Sequence, residues 1–221
     1  MRRVKGIFIT FEGTEGSGKS TQIELLARTL RAENCEVLVL REPGGTSIGE
    51  TIRAILKNPA NSKMTFPTEL LLMNASRAQL VQEAILPALE AGRIVLCDRF
   101  ADSTVAYQAF GRGLDRASVE SVIRFATGGL EPDLTLALMV SLQVSEARRK
   151  SRLIQTRENQ DRFEEEERAF FERVQQGYEY LLSTAPARIK RIDASAPVET
   201  VQSAIWSTVS DVIPRPSAPK V

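Results

Sequence analysis

The stretch Ile7-Phe8-Ile9-Thr10-Phe11-Glu12-Gly13-Thr14-Glu15-Gly16-Ser17-Gly18-Lys19-Ser20-Thr21 decides the fold. Its first five residues form a short apolar run rich in β-formers, which reads as a buried strand over 6–11. Residues 13–20 then complete the pattern G-x-x-x-x-G-K-[ST], and from Lys19 the apolar spacing changes to a helical period. In a strand–loop–helix of this kind, glycines let successive backbone N–H groups turn inward, and the helix start adds its positive end. Lys19 can then bridge the β- and γ-phosphates of a nucleotide, and the Ser20 hydroxyl can ligate Mg²⁺. The plainer alternative is a glycine-rich turn with no ligand. The position of the motif between a strand and a helix favours the phosphate loop, with Gly13, Thr14, Glu15, Gly16, Ser17, Gly18, Lys19, Ser20 and Thr21 as its nucleotide-binding residues.

Outward from this unit, strand-like runs recur at 36–40, 94–97, 134–140 and 188–192. They alternate with helical patterns at 47–57, 68–91, 116–127, 145–153, 162–182 and 198–212. Gly92 reads as a helix stop and Pro197 as a first-turn proline. Alternating strands and helices predict an α/β fold, a parallel sheet built from right-handed βαβ units. A chain of 221 residues suits a single domain of this class spanning 1–221, and the Pro-rich tail 214–221 reads as a frayed end.

Composition narrows the chemistry. The chain has no histidine, which excludes His-based acid–base catalysis, histidine triads and His–zinc sites. Two cysteines, Cys35 and Cys97, are too few for a disulfide framework. With 29 basic and 28 acidic residues, no global field recruits nucleic acid or an anionic membrane. The N-terminal apolar run stops at Glu12, too short for a signal core or a membrane span, so a cytoplasmic protein is expected. Phosphoryl transfer, which asks of a protein mainly positioning and charge, remains open.

In open α/β sheets ligands sit beyond the carboxyl ends of the strands. After the second strand comes Arg41-Glu42-Pro43-Gly44-Gly45-Thr46, with Arg53 on the helix that follows. Pro-Gly-Gly builds the turn, and Thr46 or Ser47 caps the helix. After the third strand stand Asp98 and Arg99, whose side chains point to opposite sides. Asp98 can therefore reach a metal or its waters while Arg99 reaches a second phosphate; the alternative is a structural ion network. Neither N-K-x-D nor D-x-x-G occurs in the chain, which separates it from GTPases.

Taken together, Phe11–Thr21, Arg41-Glu42-Pro43-Gly44-Gly45-Thr46, Asp98-Arg99-Phe100 with Ser103, Ala106-Tyr107-Gln108, Gly111-Arg112-Gly113, Pro132-Asp133-Leu134-Thr135 and Asp161-Arg162-Phe163-Glu164 resemble the bacterial thymidylate kinases. These are P-loop nucleoside monophosphate kinases, and the matching stretches run in family order over nearly the whole chain. The resemblance implies a P-loop NTPase fold, with a five-stranded parallel sheet flanked by helices on both faces. It also implies a helical lid at about 145–168, a homodimer, and transfer of the γ-phosphoryl of ATP to dTMP with Mg²⁺. Carried over residue by residue, Glu15 meets the sugar 3′-hydroxyl, while Arg99, Arg53 and Arg41 grip the acceptor phosphate. Arg77 reads a thymine carbonyl, Gln108 contacts the base, Tyr107 crowds the 2′ position, Ser103 lines the acceptor site, and Ser20 and Asp98 organise the metal. Tyr107 and Gln108 also admit a reading as a packed helix-surface pair. The alternatives to the implied function are another nucleoside monophosphate or deoxynucleoside kinase, and a non-catalytic nucleotide-binding module.

Two features depart from the simplest family pattern. Met73 stands four residues before Arg77, where the family commonly has a base-stacking phenylalanine, and it is equally readable as a core residue. The residue after Glu15 is Gly16, so the P-loop carries no arginine. Resembling family members then supply a lid arginine, which in related enzymes contributes about 10³–10⁵ in rate. Arg157 and Arg152 are the first candidates and Arg149 the third. Residues 145–168 carry seven basic and seven acidic side chains, so most of the stretch reads as solvated, salt-bridged helix faces. Arg162 is readable either as part of lid closure or as a structural clamp.

Overall fold

The computed structural model describes residues 6–156, 162–163 and 166–213. Strands β1 (Ile7–Glu12), β2 (Val37–Arg41), β3 (Ile94–Asp98), β4 (Leu134–Met139) and β5 (Ile189–Asp193) form one parallel sheet in the order β2-β3-β1-β4-β5. The expected five-stranded parallel architecture is therefore the one observed. β1 and β3 each run one residue past the expected ends, so Glu12 and Asp98 belong to the ladder: Phe11 pairs with Asp98, and Glu12 with Ala137.

The three central strands, β1, β3 and β4, are buried on both faces because they are apolar in both alternating sets, while the edge strands β2 and β5 stay partly exposed. Ile9, Phe11, Leu96, Leu136 and Leu138 point to one side, against Ile23, Leu26 and Leu30 of α1 (Lys19–Ala32) and Val201, Ile205 and Val209 of α9 (Val198–Val209). Phe8, Val95 and Cys97 point to the other, against Leu80, Val81, Ile85 and Phe100. Ala137 and Met139 meet Phe170, Val174 and Tyr178 of α8 (Arg168–Thr184).

Four expected helices take different bounds, the last of them, expected at 198–212, ending at Val209. The single helix expected at 68–91 is α3 (Phe66–Leu80), a wider π-turn at Val81–Ile85, and α4 (Leu86–Glu90). The helix expected at 162–182 is α8, Arg168–Thr184. α7 runs Leu142–Thr156, longer than the expected 145–153 at both ends, and Pro197 caps α9 rather than opening it. In α2 (Ser47–Lys57), Thr46 is the cap, accepting from the Gly49 amide at 3.0 Å. A helical segment not expected from periodicity, α5 (Ala101–Thr104) with a π-turn over Val105–Gly111, follows β3. Val105, Ala106, Tyr107, Gln108 and Ala109 are all buried, so this segment has no polar face to betray a helical period. α6 (Arg116–Thr127) packs on α3. Arg157, Asp161 and the tail 214–221 lie outside the described residues.

Candidate active site

The loop after β1 is shaped by close approaches. Gly13, at φ 132°, leaves no room for a side chain, since a Cβ there would sit 2.3 Å from the Leu138 carbonyl oxygen on β4. At Gly16, φ 77°, a Cβ would come within 2.9 Å of the Ser145 carbonyl oxygen. The missing side chain therefore lets α7 settle on the loop, where Ser145 Oγ donates to the Glu15 carbonyl at 2.6 Å. Lys19 Nζ is buried and donates to the carbonyls of Gly13 (3.1 Å) and Thr14 (3.0 Å). Burial, and then the nearby Arg99 charge, lower its pKa, with Asp98, Glu15 and Glu12 opposing. Ser20 Oγ donates to Asp98 Oδ2 at 3.0 Å, bringing a hydroxyl from the first turn of α1 to the carboxylate that ends β3.

Opposite the loop stands Arg99. Its backbone is in the left-handed region, φ 71°, which costs a non-glycine residue about 1–2 kcal/mol and directs the side chain across the cleft. Nη1 donates to Ser103 Oγ (3.0 Å) and Tyr178 OH (3.3 Å), and Nη2 to Tyr107 OH (3.1 Å). Burial works against its charge; Tyr107, Tyr178, Glu15 and Asp98 outweigh it and raise the pKa further, so the guanidinium stays charged. Behind these hydroxyls lies Glu12, fully buried. It accepts from Ser103 Oγ (2.5 Å) and Tyr178 OH (3.0 Å) through Oε2, and from the amides of Phe100 (2.8 Å) and Ser103 (3.2 Å) through Oε1. Burial, joined by the Asp102 charge, raises its pKa to about 7. For Glu15 burial pushes the other way from its neighbours, and Lys19, Arg99 and Arg152 win, holding its pKa at about 2. Glu15 is thus ionised, paired with Arg152 and 3.6 Å from Arg99.

Arg41 sits at the rim, its Nη2 donating to both carboxylate oxygens of Glu50 at 2.9 Å, and Arg53 donates to the Pro43 carbonyl at 2.8 Å. At the far end, all five N–H groups of Arg77 find protein acceptors. Nε and Nη2 donate to Glu42 Oε2 (2.9 and 2.7 Å), Nη2 also to the Phe100 carbonyl (2.9 Å), and Nη1 to Asn74 and Thr104 (2.9 Å each). Arg77 thereby ties α3 to the turn after β2 and to the segment after β3. Gln108 Nε2 donates to the buried Glu69 at 2.9 Å, which leaves the amide oxygen as its free pole. On α7, Arg149 stacks 4.4 Å from the Phe171 ring centre, and beyond that helix Arg162 is buried against Glu69 at 2.5 Å. Arg162 is thus a clamp in this structure.

One cleft of about 510 Å³ gathers most of these groups, a volume suited to small-molecule ligands. Glu15, Gly16, Gly18, Lys19, Ser20, Thr21, Arg41, Arg53, Met73, Arg77, Asp98, Arg99, Ser103, Tyr107, Gln108 and Arg152 all line it, as does Arg149. Gly13, Thr14 and Ser17 form the loop but not the wall, being enclosed by the chain around them. Arg157 lies outside the described residues. Sequence reasoning assigned no role to Glu12, Tyr178, Glu42 or Glu69. A carboxylate ending an otherwise apolar strand was a visible signal for Glu12; Tyr178 gave none, because only the folded chain brings α8 to Arg99.

A parallel sheet in this order, a lysine-bearing phosphate loop at its centre and a second cationic end across one cleft define a P-loop phosphotransferase that brings two phosphorylated ligands together. Comparison with known proteins narrows the class. The family described as thymidylate kinase matches residues 11–205, and the chain belongs to it. It is 48% identical over 208 residues to the thymidylate kinase of Thermomicrobium roseum, covering 94% of this chain and 96% of that one. It is also 46% identical over 210 residues to that of Pseudomonas fluorescens (95% and 98% covered), and 45% identical over 202 residues to that of an Exiguobacterium strain (91% and 93%). Its function is that of a thymidylate kinase, with ATP as the phosphoryl donor.

Proposed function

We propose that ATP lies on the loop 13–21 and dTMP on the Arg99 side of the same cleft, the two phosphate chains meeting between Lys19 and Arg99. The observation that carries this reading is Arg99, held in a strained backbone conformation by three hydroxyls and facing the phosphate loop. Lys19 neutralises the β- and γ-phosphates, while Arg99 and Arg53 draw in the acceptor phosphate by charge-assisted hydrogen bonds, with Arg41 screening from the rim. No general base is required, because the attacking phosphate oxygen is already anionic at neutral pH. That suits a chain without histidine.

Ser20 on the first turn of α1 and Asp98 at the end of β3 form a hydroxyl–carboxylate oxygen pair, and this donor set fits Mg²⁺, which typically takes one or two protein oxygens and completes its shell with phosphates and water. When bound, the ion neutralises charge on the phosphate oxygens. α7 supplies the further cation: Arg152 and Arg149 line the cleft, and we read 145–168 as a lid that excludes water from the transfer.

Base choice follows from polarity. Gln108, its amide nitrogen committed to Glu69, offers an oxygen, and Arg77 offers N–H donors after exchange with Thr104. Thymine presents the complementary N3–H donor and O4 acceptor; cytosine presents the reverse. Met73 lies one helical turn from Arg77 and closes over the ring. Glu15, fixed as a carboxylate, accepts from the sugar 3′-hydroxyl, and Tyr107 crowds the 2′ position. The enzyme acts as a homodimer through α3 and α6, where Leu71 is 58% and Phe125 90% exposed. It works in the cytoplasm, in keeping with its free cysteines; among the described residues no helix is long and apolar enough to cross a membrane.

The test is ADP release with ATP and Mg²⁺ against dTMP, dUMP, dCMP, dGMP and UMP. A preference for dTMP over dCMP of at least about 100-fold is expected, in line with the loss when buried polar groups meet the wrong edge. Equal use of dCMP, or ATP binding without transfer to any acceptor, overturns the assignment.

A further inference from the structure

Glu69 lies on α3 one turn before Met73 and two before Arg77, on the same helix face, and it is fully buried. Its two oxygens are divided among three partners. Oε1 accepts from Gln108 Nε2 (2.9 Å) and Arg112 Nε (3.1 Å), and Oε2 from Arg112 Nη2 (3.0 Å) and Arg162 Nη2 (2.5 Å). Arg162 is seated besides on the last carbonyls of α2, through Nε to Leu56 (3.0 Å) and its own amide to Lys57 (3.2 Å). Cations are favoured at such a helix end, and α2 is the element that carries Arg53. Arg112 is balanced by Glu166 at 2.5 Å and stacks on Phe170, 4.5 Å from the ring centre. Arg162 itself lines a separate hollow behind the cleft, with Phe66, Arg112 and Phe170.

We propose that Glu69 is a positioning residue that couples recognition of the base to the seating of Arg162 at the end of the lid stretch. The inference rests on the thymidylate kinase reading above. An ionised carboxylate only accepts, and burial, which alone would raise the Glu69 pKa, is outweighed by Arg112, Gln108 and Arg162, which lower it. Gln108 must therefore turn its NH₂ inward and its oxygen toward the base. That geometry holds only while Glu69 is itself held from both sides. Without Arg162, the carboxylate has Arg112 as its single cationic partner among the described residues and shifts toward it, and Gln108 loses its fixed polarity. In the other direction, a base that does not match Gln108 pulls on Oε1 and loosens the seat of Arg162. A correct base and a seated lid end thus favour each other through one buried group.

The experiment measures kcat/KM for dTMP and dCMP in Arg162→Met, Gln108→Ala and the double variant, with and without Glu69→Gln, folding being checked by circular dichroism. Arg162→Met is expected to lower dTMP use at least tenfold and the dTMP:dCMP preference at least fivefold. With Glu69 present, the double variant should lose at least fivefold less than the product of the single losses. With Glu69→Gln, the effects should multiply to within about twofold. A merely structural role for Arg162 lowers both substrates equally; an unchanged preference, or multiplicative effects with Glu69 in place, overturns the proposal. Should Glu69→Gln fail to fold, the preference ratio and the first cycle still decide. A wild-type chain that ignores dTMP would sink the preceding reading, whereas an active wild type with independent variants would sink this one alone.

Discussion

Replacing Arg99 by glycine separates what this residue does for the reaction from what it does for the fold. The backbone there sits at φ 71°, so glycine relieves about 1–2 kcal/mol of strain. Against this stand three lost hydrogen bonds to hydroxyls, each worth about 0.5–1.5 kcal/mol net, and the stacking on Tyr107 at 4.9 Å. Ser103 and Tyr178 keep Glu12 as an acceptor, which limits the damage. The bonds outweigh the relieved strain, so stability should fall by up to about 4 kcal/mol, or up to roughly 8–16 °C in Tm for a chain of this size. Activity has no such compensation. Losing two charge-assisted bonds to the acceptor phosphate, about 1.5–3 kcal/mol each, predicts a fall of about 10²–10⁴ in kcat/KM for dTMP. Arg99→Lys, which keeps the charge but not the planar fork, should fall between glycine and wild type. The measurements are coupled ADP release and thermal melting followed by circular dichroism. A glycine variant within tenfold of wild type, or one that has lost its fold, refutes the assignment.

Glu12→Gln should remove a pH dependence. As a carboxylate, Glu12 accepts from Ser103 and Tyr178 and leaves their lone pairs to Arg99; protonated, it donates to one of them and disturbs the pair. Its pKa of about 7 therefore predicts an acid limb in wild-type kcat/KM below about pH 7, which the amide variant should lack while resting near the lower plateau throughout. The same titration acts on stability: a carboxyl raised from 4.5 to about 7 on folding contributes stability below 4.5 that is lost as pH rises through 7, and urea midpoints of wild type and variant should diverge with that sign. Arg77→Met leaves Glu42 buried without its partner, a loss of about 3–5 kcal/mol, so Tm should drop by roughly 6–20 °C, and Glu42→Gln in the same chain should recover part of it. Lys19→Ala should cut kcat by orders of magnitude with little change in Tm, and near-normal turnover would remove Lys19 from the chemistry.

What was legible in the sequence is what short-range pattern encodes. The apolar runs became the five strands, the three central ones buried on both faces and the edge strands β2 and β5 partly exposed, and alternation with helices permits little besides a parallel sheet. The phosphate loop was readable because its glycines and lysine act within eight consecutive residues. The helical segment at 101–111 was not, because a segment buried all round carries no period. Nor could spacing show that Glu12 and Tyr178, 166 residues apart in the chain, hold Arg99 through shared hydroxyls. Arg77 and Gln108 were visible as candidates, yet only packing revealed that Glu42 engages one and Glu69 sets the polarity of the other. Sequence by itself determined the strands, the loop and the kinds of charge available. Tertiary structure alone decided which of those charges share a partner, because a buried carboxylate is satisfied by whatever donors the folded chain brings within reach, regardless of their distance along it.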